Sequence, residues 1–263
     1  MTVGVNRDNI AIVLQRPRYP ENIGSAARAM CNMGFKRLIV VDPGIWDEQR
    51  IRRLATHAAG AVVDRIQRAA SLADALAPFG YVVGTTARLG GQRQVIKSPA
   101  VLARRLIPLA ANNPLAIVFG PEDRGLTNDD LKRCHQLVNI PTADFSSLNL
   151  AHAVMVICYC LATAGLDDPA PAAPRLAQRV ELDRMYDDLA ATLMTIGYVN
   201  ADNPDYWMLR IRRFLTRLGL RAGEASIIRG ICRQIRRYGE RCYAEGAAAA
   251  GKPEDQRPSN GPQ

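Results

Sequence analysis

Metal-ligand clusters are missing from this sequence. Its three histidines (His57, His135 and His152) lie at no ligand spacing, and its six cysteines form no Cys-x-x-Cys pair. No metal is therefore expected. The same cysteine usage predicts a reduced, cytoplasmic chain, with Cys158 and Cys160 acting as small hydrophobes inside an apolar run. A Gly-x-Gly-x-x-Gly fingerprint and a Walker lysine are both absent, which weighs against a nicotinamide dehydrogenase and a P-loop enzyme. The N-terminus lacks the charged-then-apolar pattern of a signal peptide. Long apolar runs are scarce. Only Leu148–Leu166 approaches the roughly 20 residues of a membrane helix, and Asn149 and His152 interrupt it. No membrane association is expected. A helix this apolar needs cover on every side, which a homodimer would supply.

What is present is alternation. Short apolar runs at Ile10–Leu14, Leu38–Val41, Tyr81–Val83, Leu115–Phe119 and Leu137–Ile140 read as strands. Helical patterns lie between them at Ile23–Met33, Glu48–Ala59, Leu72–Ala77, Ala100–Leu109 and Asn128–Cys134. Strand–helix alternation predicts an α/β fold, a parallel sheet with helices on both faces, whose ligand site is at the carboxyl ends of the strands. This domain spans residues 1–166. Residues 167–175 read as a linker, because Pro169, Pro171 and Pro174 disfavour a helix and stiffen the chain. Helices are expected at Leu176–Gly197, Asp205–Leu218 and Ala222–Tyr243, giving a small helical extension over 176–243. The Ala/Gly/Pro-rich remainder, 244–263, reads as disordered.

The 263-residue chain carries a net charge of +9, which points to a polyanionic partner, RNA before membrane. The charge is concentrated. Between Trp207 and Arg241 there are ten arginines against two glutamates, a local excess of +8, and no lysine. Arg210, Arg212, Arg213, Arg217, Arg233, Arg236 and Arg237 are the candidate RNA contacts, since a guanidinium offers phosphate a planar fork. Trp207, Phe214 and Tyr238 lie among them and could stack on bases. The alternative is a helical hairpin with solvated arginines and core aromatics.

Four segments could carry chemistry. Tyr19–Met30 follows the first strand and opens a helix; Gly24 and Ser25 permit close backbone approach, and Arg28 stands six residues after Asn22. A cation so near a helix N-terminus opposes the helix dipole and needs a compensating partner. Phe119–Leu126 leaves a strand through Gly120-Pro121, presents Glu122 and relaxes at Gly125. Gly84-Thr85-Thr86-Ala87-Arg88 places hydroxyls after another strand. Phe145-Ser146-Ser147-Leu148-Asn149-Leu150 sets two hydroxyls and a carboxamide at the start of the apolar helix, where such groups cap backbone N–H groups or hold a polar ligand.

Taken in order, Asn22-x-Gly-x-x-x-Arg28, Phe119-Gly120-x-Glu122-x-x-Gly125-Leu126 and Ser146-Ser147-Leu148-Asn149-Leu150 resemble the SPOUT-class RNA ribose 2′-O-methyltransferases, and within them the TrmJ type. The likeness covers about residues 8–166, while Ile196-Gly197-Tyr198 and Asn203-Pro204 are similar to that subgroup's C-terminal extension. Pro121 departs from it, since the TrmJ type often carries a basic residue there. The resemblance implies a C-terminal trefoil knot in the catalytic domain, a homodimer with composite active sites, and S-adenosyl-L-methionine as cofactor. It assigns the cofactor to Thr85, Thr86, Ala87, Gly120, Ile140, Ser146, Ser147 and Leu148, and catalysis to Asn22, Arg28, Glu122, Ser147 and Asn149. The implied reaction is methylation of a cytidine or uridine ribose in the tRNA anticodon loop. A ribosomal RNA substrate, or a basic RNA-binding protein that no longer catalyses, are the alternatives.

Overall fold

The computed structural model describes residues 5–87, 95–143, 148–164, 174–200 and 202–250. Seven strands form one parallel sheet: β1 (Ile10–Gln15), β2 (Arg37–Val41), β3 (Gln67–Ala69), β4 (Tyr81–Thr85), β5 (Val95–Ile96), β6 (Leu115–Phe119) and β7 (Gln136–Val138). Their order is β3-β2-β1-β6-β4-β7-β5. β1 and β6 are buried at every position, as expected of central strands covered on both faces. They pair in register, with Ile10 opposite Leu115 and Leu14 opposite Phe119. β7 lies between β4 and β5, two strands that precede it in the chain.

Helices cover both faces. On one, α1 (Pro20–Asn32), α5 (Pro99–Ala110) and α7 (Leu150–Thr163) pack Ile23, Met30, Leu102, Leu106, Val154 and Ile157 onto Ile12, Leu14 and Ile117. On the other, α4 (Leu72–Leu76) and α6 (Asn128–Leu131) contribute Leu72, Leu76 and Leu131 against Val13, Val82 and Val118. Gly24 brings α1 onto α2 (Glu48–Ala55); a Cβ there would collide with the Ile51 carbonyl. The close approach foreseen at Gly24 is thus between two helices.

Several expected elements differ from those observed. The helix expected over Glu48–Ala59 stops at Ala55, because Thr56 adopts φ 59°; a 3₁₀ turn (His57–Ala59) and the short α3 (Gly60–Val63) follow. α6 ends at Leu131, where tight turns bond Arg133 N to Asp130 O and Cys134 N to Leu131 O. β7 stops before Ile140 because Asn139 turns to its neighbours: its N–H donates to Ile96 O and its Nδ2 to Thr86 O, both at 2.9 Å. β3 and β5 were not foreseen.

Beyond the sheet, α8 (Arg179–Thr195), α9 (Pro204–Thr216) and α10 (Ala222–Ala250) share a third core of Leu182, Met185, Tyr186 and Ala225. α10 continues past Tyr243, so residues 244–250 are helical where a disordered tail was expected. Its final alanines favour helix intrinsically. This unit is fastened to the sheet domain through the backbone. Asn113 Oδ1 accepts from Leu176 N (2.6 Å) and its Nδ2 donates to Pro174 O (3.2 Å), while Arg179 N donates to Phe79 O (2.8 Å). The Arg179 side chain is buried and pairs with Asp183 at 2.7 Å. Of the expected linker, 167–173 lie outside the described residues.

Candidate active site

Three loops meet at the carboxyl edge of β1 and β6. The first opens α1, where Pro20 takes the first helical position with its φ already suited to helix. Asn22 follows in the first turn and faces the sheet edge. The second is the turn after β6. Gly125 N donates to Pro121 O (2.9 Å), Gly125 adopts φ +68°, and a Cβ on Gly120 would strike the Gly125–Leu126 backbone. Both glycines are therefore needed to fold Glu122 back over the exit of β1. The third is the start of α7, where Asn149 is the N-cap: its Oδ1 accepts from Ala151 N (2.9 Å) and His152 N (3.4 Å).

These loops are joined by a directional chain of hydrogen bonds. Asn149 Nδ2 donates to Asn22 Oδ1 at 3.0 Å, and Asn22 Nδ2 donates to Glu122 Oε1 at 2.5 Å. The other carboxylate oxygen of Glu122 accepts from Arg18 N at 3.1 Å. Because Asn149 Oδ1 is taken by helix N–H groups, both amides have one consistent orientation. The cap that the serines were expected to share is thus made by Asn149. A cavity of about 440 Å³ opens beside this chain, lined by Asn22, Glu122, Leu148 and Asn149, with Tyr19, Glu21 and Arg50 completing its wall.

Of the five expected catalytic residues, Asn22, Glu122 and Asn149 come together. Ser147 lies outside the described residues. Arg28 is exposed on α1 and does not line the cavity. Six residues along a helix displace it about 9 Å from Asn22 and roughly 120° around the axis. Among the described residues it has no hydrogen bond or ion pair. Residue patterns gave no sign of Arg18, which acts through its backbone N–H, or of Arg50.

The expected cofactor residues lie at the ends of three neighbouring strands: Thr85, Thr86 and Ala87 after β4, Gly120 after β6, and Ile140 beyond β7. Thr85 Oγ1 donates to Val118 O (3.1 Å), and Thr86 N to Val138 O (2.9 Å), so this edge is braced internally. Ser146 falls outside the described residues together with Ser147 and Arg88; Leu148 lines the cavity. Uncharged backbone groups and apolar Ile140 and Leu148 make a lining that fits a nucleoside with its aliphatic sulfonium arm. Among the described residues, no group of three metal-ligating side chains is present. His135 is half-buried; its Nδ1 accepts the Val82 N–H at 3.0 Å, and desolvation pushes the imidazole down to about 3.

On α9 and α10 the expected RNA contacts divide. Arg210, Arg213, Arg217, Arg233 and Arg237 are exposed. Arg212 instead turns inward to Asp183 (3.7 Å) and Asp187 (3.6 Å), and Arg236 to Asp188 (3.5 Å). The aromatics are not core residues: Trp207, Phe214 and Tyr238 are 37%, 55% and 62% exposed. Trp207 joins Tyr198 and Tyr206 in an edge-to-face cluster that composition did not reveal.

Comparison with known proteins agrees with this geometry. Residues 9–159 match the SpoU rRNA Methylase family, and residues 180–244 match the C-terminal domain of tRNA methyltransferase TrmJ. The tRNA (cytidine/uridine-2′-O-)-methyltransferase TrmJ of Citrobacter koseri is 38% identical over 86% of this chain and 96% of its own length. The protein of that name from Escherichia coli O6:K15:H31 is 35% identical over 90% of this chain and 99% of its own. The crystal structure of TrmJ from Z. mobilis ZM4 superposes with a TM-score of 0.75 at 30% identity, covering 86% of this chain and 98% of that one. A probable methylase family protein from Haemophilus influenzae Rd KW20 gives a TM-score of 0.57 at 30% identity, covering 89% and 98%. The chain belongs to the SpoU methylase family, in its TrmJ-type branch.

Proposed function

We propose that this protein is an S-adenosylmethionine-dependent methyltransferase that 2′-O-methylates a cytidine or uridine ribose in the anticodon loop of tRNA, in the cytoplasm. The observation that carries the reading is the Asn149–Asn22–Glu122 chain, which unites motifs 100 and 127 residues apart beside an open cavity. The TrmJ relatives supply the substrate class.

S-adenosylmethionine, when bound, supplies an electrophilic methyl group. Thr85, Thr86, Ala87, Gly120, Ile140 and Leu148 would hold it, together with Ser146 and Ser147. The chain's own task is alignment and electrostatics, because the hydroxyl must lose a proton while it is held in line. Glu122, gripped from two sides, fixes Asn22, and Asn22 with Asn149 orients the ribose. Arg28 stabilises the negative charge developing on the ribose O2′, or grips the adjacent phosphate; a guanidinium that stays protonated suits both roles better than a proton-accepting one. As Arg28 stands apart from its own cavity, it serves the site of a second protomer. α7 is the dimer contact: it is apolar, yet His152 is exposed and Tyr159 is 56% exposed. The strand order, with β7 between β4 and β5, is compatible with the trefoil knot that the motifs imply. The extension over 176–243 binds tRNA through its exposed arginines.

Incubation with methyl-labelled cofactor and separate pools of tRNA and ribosomal RNA tests the proposal. Label at one pyrimidine ribose of tRNA is expected. Label confined to ribosomal RNA would replace the substrate, and no label in either pool would reduce the protein to an RNA binder.

A further inference from the structure

The wall of the catalytic cavity contains two acids, Glu21 and Glu122, and one cation, Arg50. An RNA phosphodiester brought to the ribose site must pass these groups, so the placement of that cation matters. Arg50 is in the first turn of α2, where its N–H donates to the N-cap Asp47 at 3.0 Å. Its guanidinium crosses to α1 and meets one oxygen of Glu21 twice, through Nε at 2.7 Å and Nη2 at 2.5 Å. Glu21 is itself held ionised: a backbone hydrogen bond first, and the Arg50 guanidinium after it, keep its carboxyl below the usual range. The contact therefore fixes the plane of a long, otherwise mobile side chain.

A guanidinium has two forks. Here the fork made by Nε and Nη2 is filled by Glu21, and the fork made by Nη1 and Nη2 is free of described partners. The Arg50 side chain remains 46% exposed although its other fork is filled. Phosphate oxygens match such a fork, and an arginine already immobilised loses less entropy on taking one. We propose that Arg50 is a substrate-binding residue whose open fork takes a phosphodiester next to the target ribose, with Glu21 as its positioning residue. The inference rests on the methyltransferase reading for its substrate.

The test uses the full chain and its Arg50→Gln, Arg50→Lys and Glu21→Gln variants. It measures tRNA binding against salt, the kcat and KM of methyl transfer, cofactor binding by calorimetry, and the mass of the assembly by sedimentation. For Arg50→Gln, KM for tRNA should rise about tenfold with kcat and cofactor affinity close to wild type. The salt slope should fall by about 0.7–0.9, the contribution of one phosphate. Arg50→Lys should restore the slope and only part of KM, as it keeps the charge and loses the fork. Glu21→Gln should raise KM while leaving the slope intact. A wild-type KM and slope in Arg50→Gln would overturn the assignment. So would a smaller assembly mass, which would make Arg50 a protomer contact. If the wild-type protein methylates no tRNA, the functional reading fails by itself; the difference in salt slope between wild type and Arg50→Gln still decides the role of Arg50.

Discussion

At the sheet edge, Glu122 accepts two hydrogen bonds, Asn22 makes two, and Asn149 ties both to a helix start. On α9 and α10, by contrast, Arg213, Arg217, Arg233 and Arg237 are exposed and have no ion pair among the described residues. The first region ties a few polar atoms to one another with short, directional bonds. The second spreads charge over a long surface and leaves its side chains free. Short-range, directional bonds suit the orientation of one hydroxyl; long-range, screenable attraction suits the capture of a large polyanion. The pairing of Arg212 and Arg236 with acids of α8 shows the second region holding itself together with part of its own charge.

The contrast can be broken in several ways. The largest effect is expected at Arg28: Arg28→Ala should lower methyl transfer by about a thousandfold while cofactor affinity, measured by calorimetry, barely changes. Turnover near wild type would remove Arg28 from the chemistry. Next, if about six phosphates are neutralised, tRNA affinity should fall roughly a thousandfold between about 50 and 200 mM salt. Replacing Arg213, Arg217, Arg233 and Arg237 together by Gln should flatten the slope by about three, whereas changing Arg212 and Arg236 should lower the melting temperature more than the slope. Equal slopes for the two sets would erase the distinction between exposed and paired arginines.

Smaller effects sharpen the picture of the sheet domain. Desolvation holds the His135 imidazole at about 3, against an ordinary 6.5. Above pH 6.5 both folded and unfolded chains keep it neutral. Below that, only the unfolded chain takes up the proton, so stability should fall as the pH drops from about 6.5 towards 3. Denaturant titrations at several pH values should show this acid limb in the wild type and a flatter one in His135→Gln, which does not titrate. Last, Asn149→Ala should cost about 1 kcal/mol through the lost cap and also lower kcat; a loss of stability with kcat intact would confine Asn149 to capping.

Much of this was legible in the residues. β1 and β6 announce themselves because strands buried on both faces must be continuously apolar. β3 and β5 do not: Gln67-Arg68-Ala69 and the two-residue Val95-Ile96 lie at the sheet edges, where neighbours supply the pairing and sequence supplies little. The break in the helix after Ala55 depends on one left-handed threonine, a conformation that composition does not encode. Motif residues named Asn22, Glu122 and Asn149, but not the bonds between them, which cross 100 and 127 positions. Arg50 carries no signal in the sequence because its meaning depends on Glu21, 29 residues earlier and on another helix.

The strand order also bears on how the chain is made. β4 has β6 and β7 as neighbours, and both are synthesised after it. While residues 81–85 leave the ribosome, each of their edges is a bare ladder of amides and carbonyls, open to pairing with any nascent chain nearby. The middle of the sheet is closed only when residue 138 has emerged. Biogenesis, more than final stability, is then the stage at which this protein is most exposed to aggregation, and the stage at which a chaperone would matter.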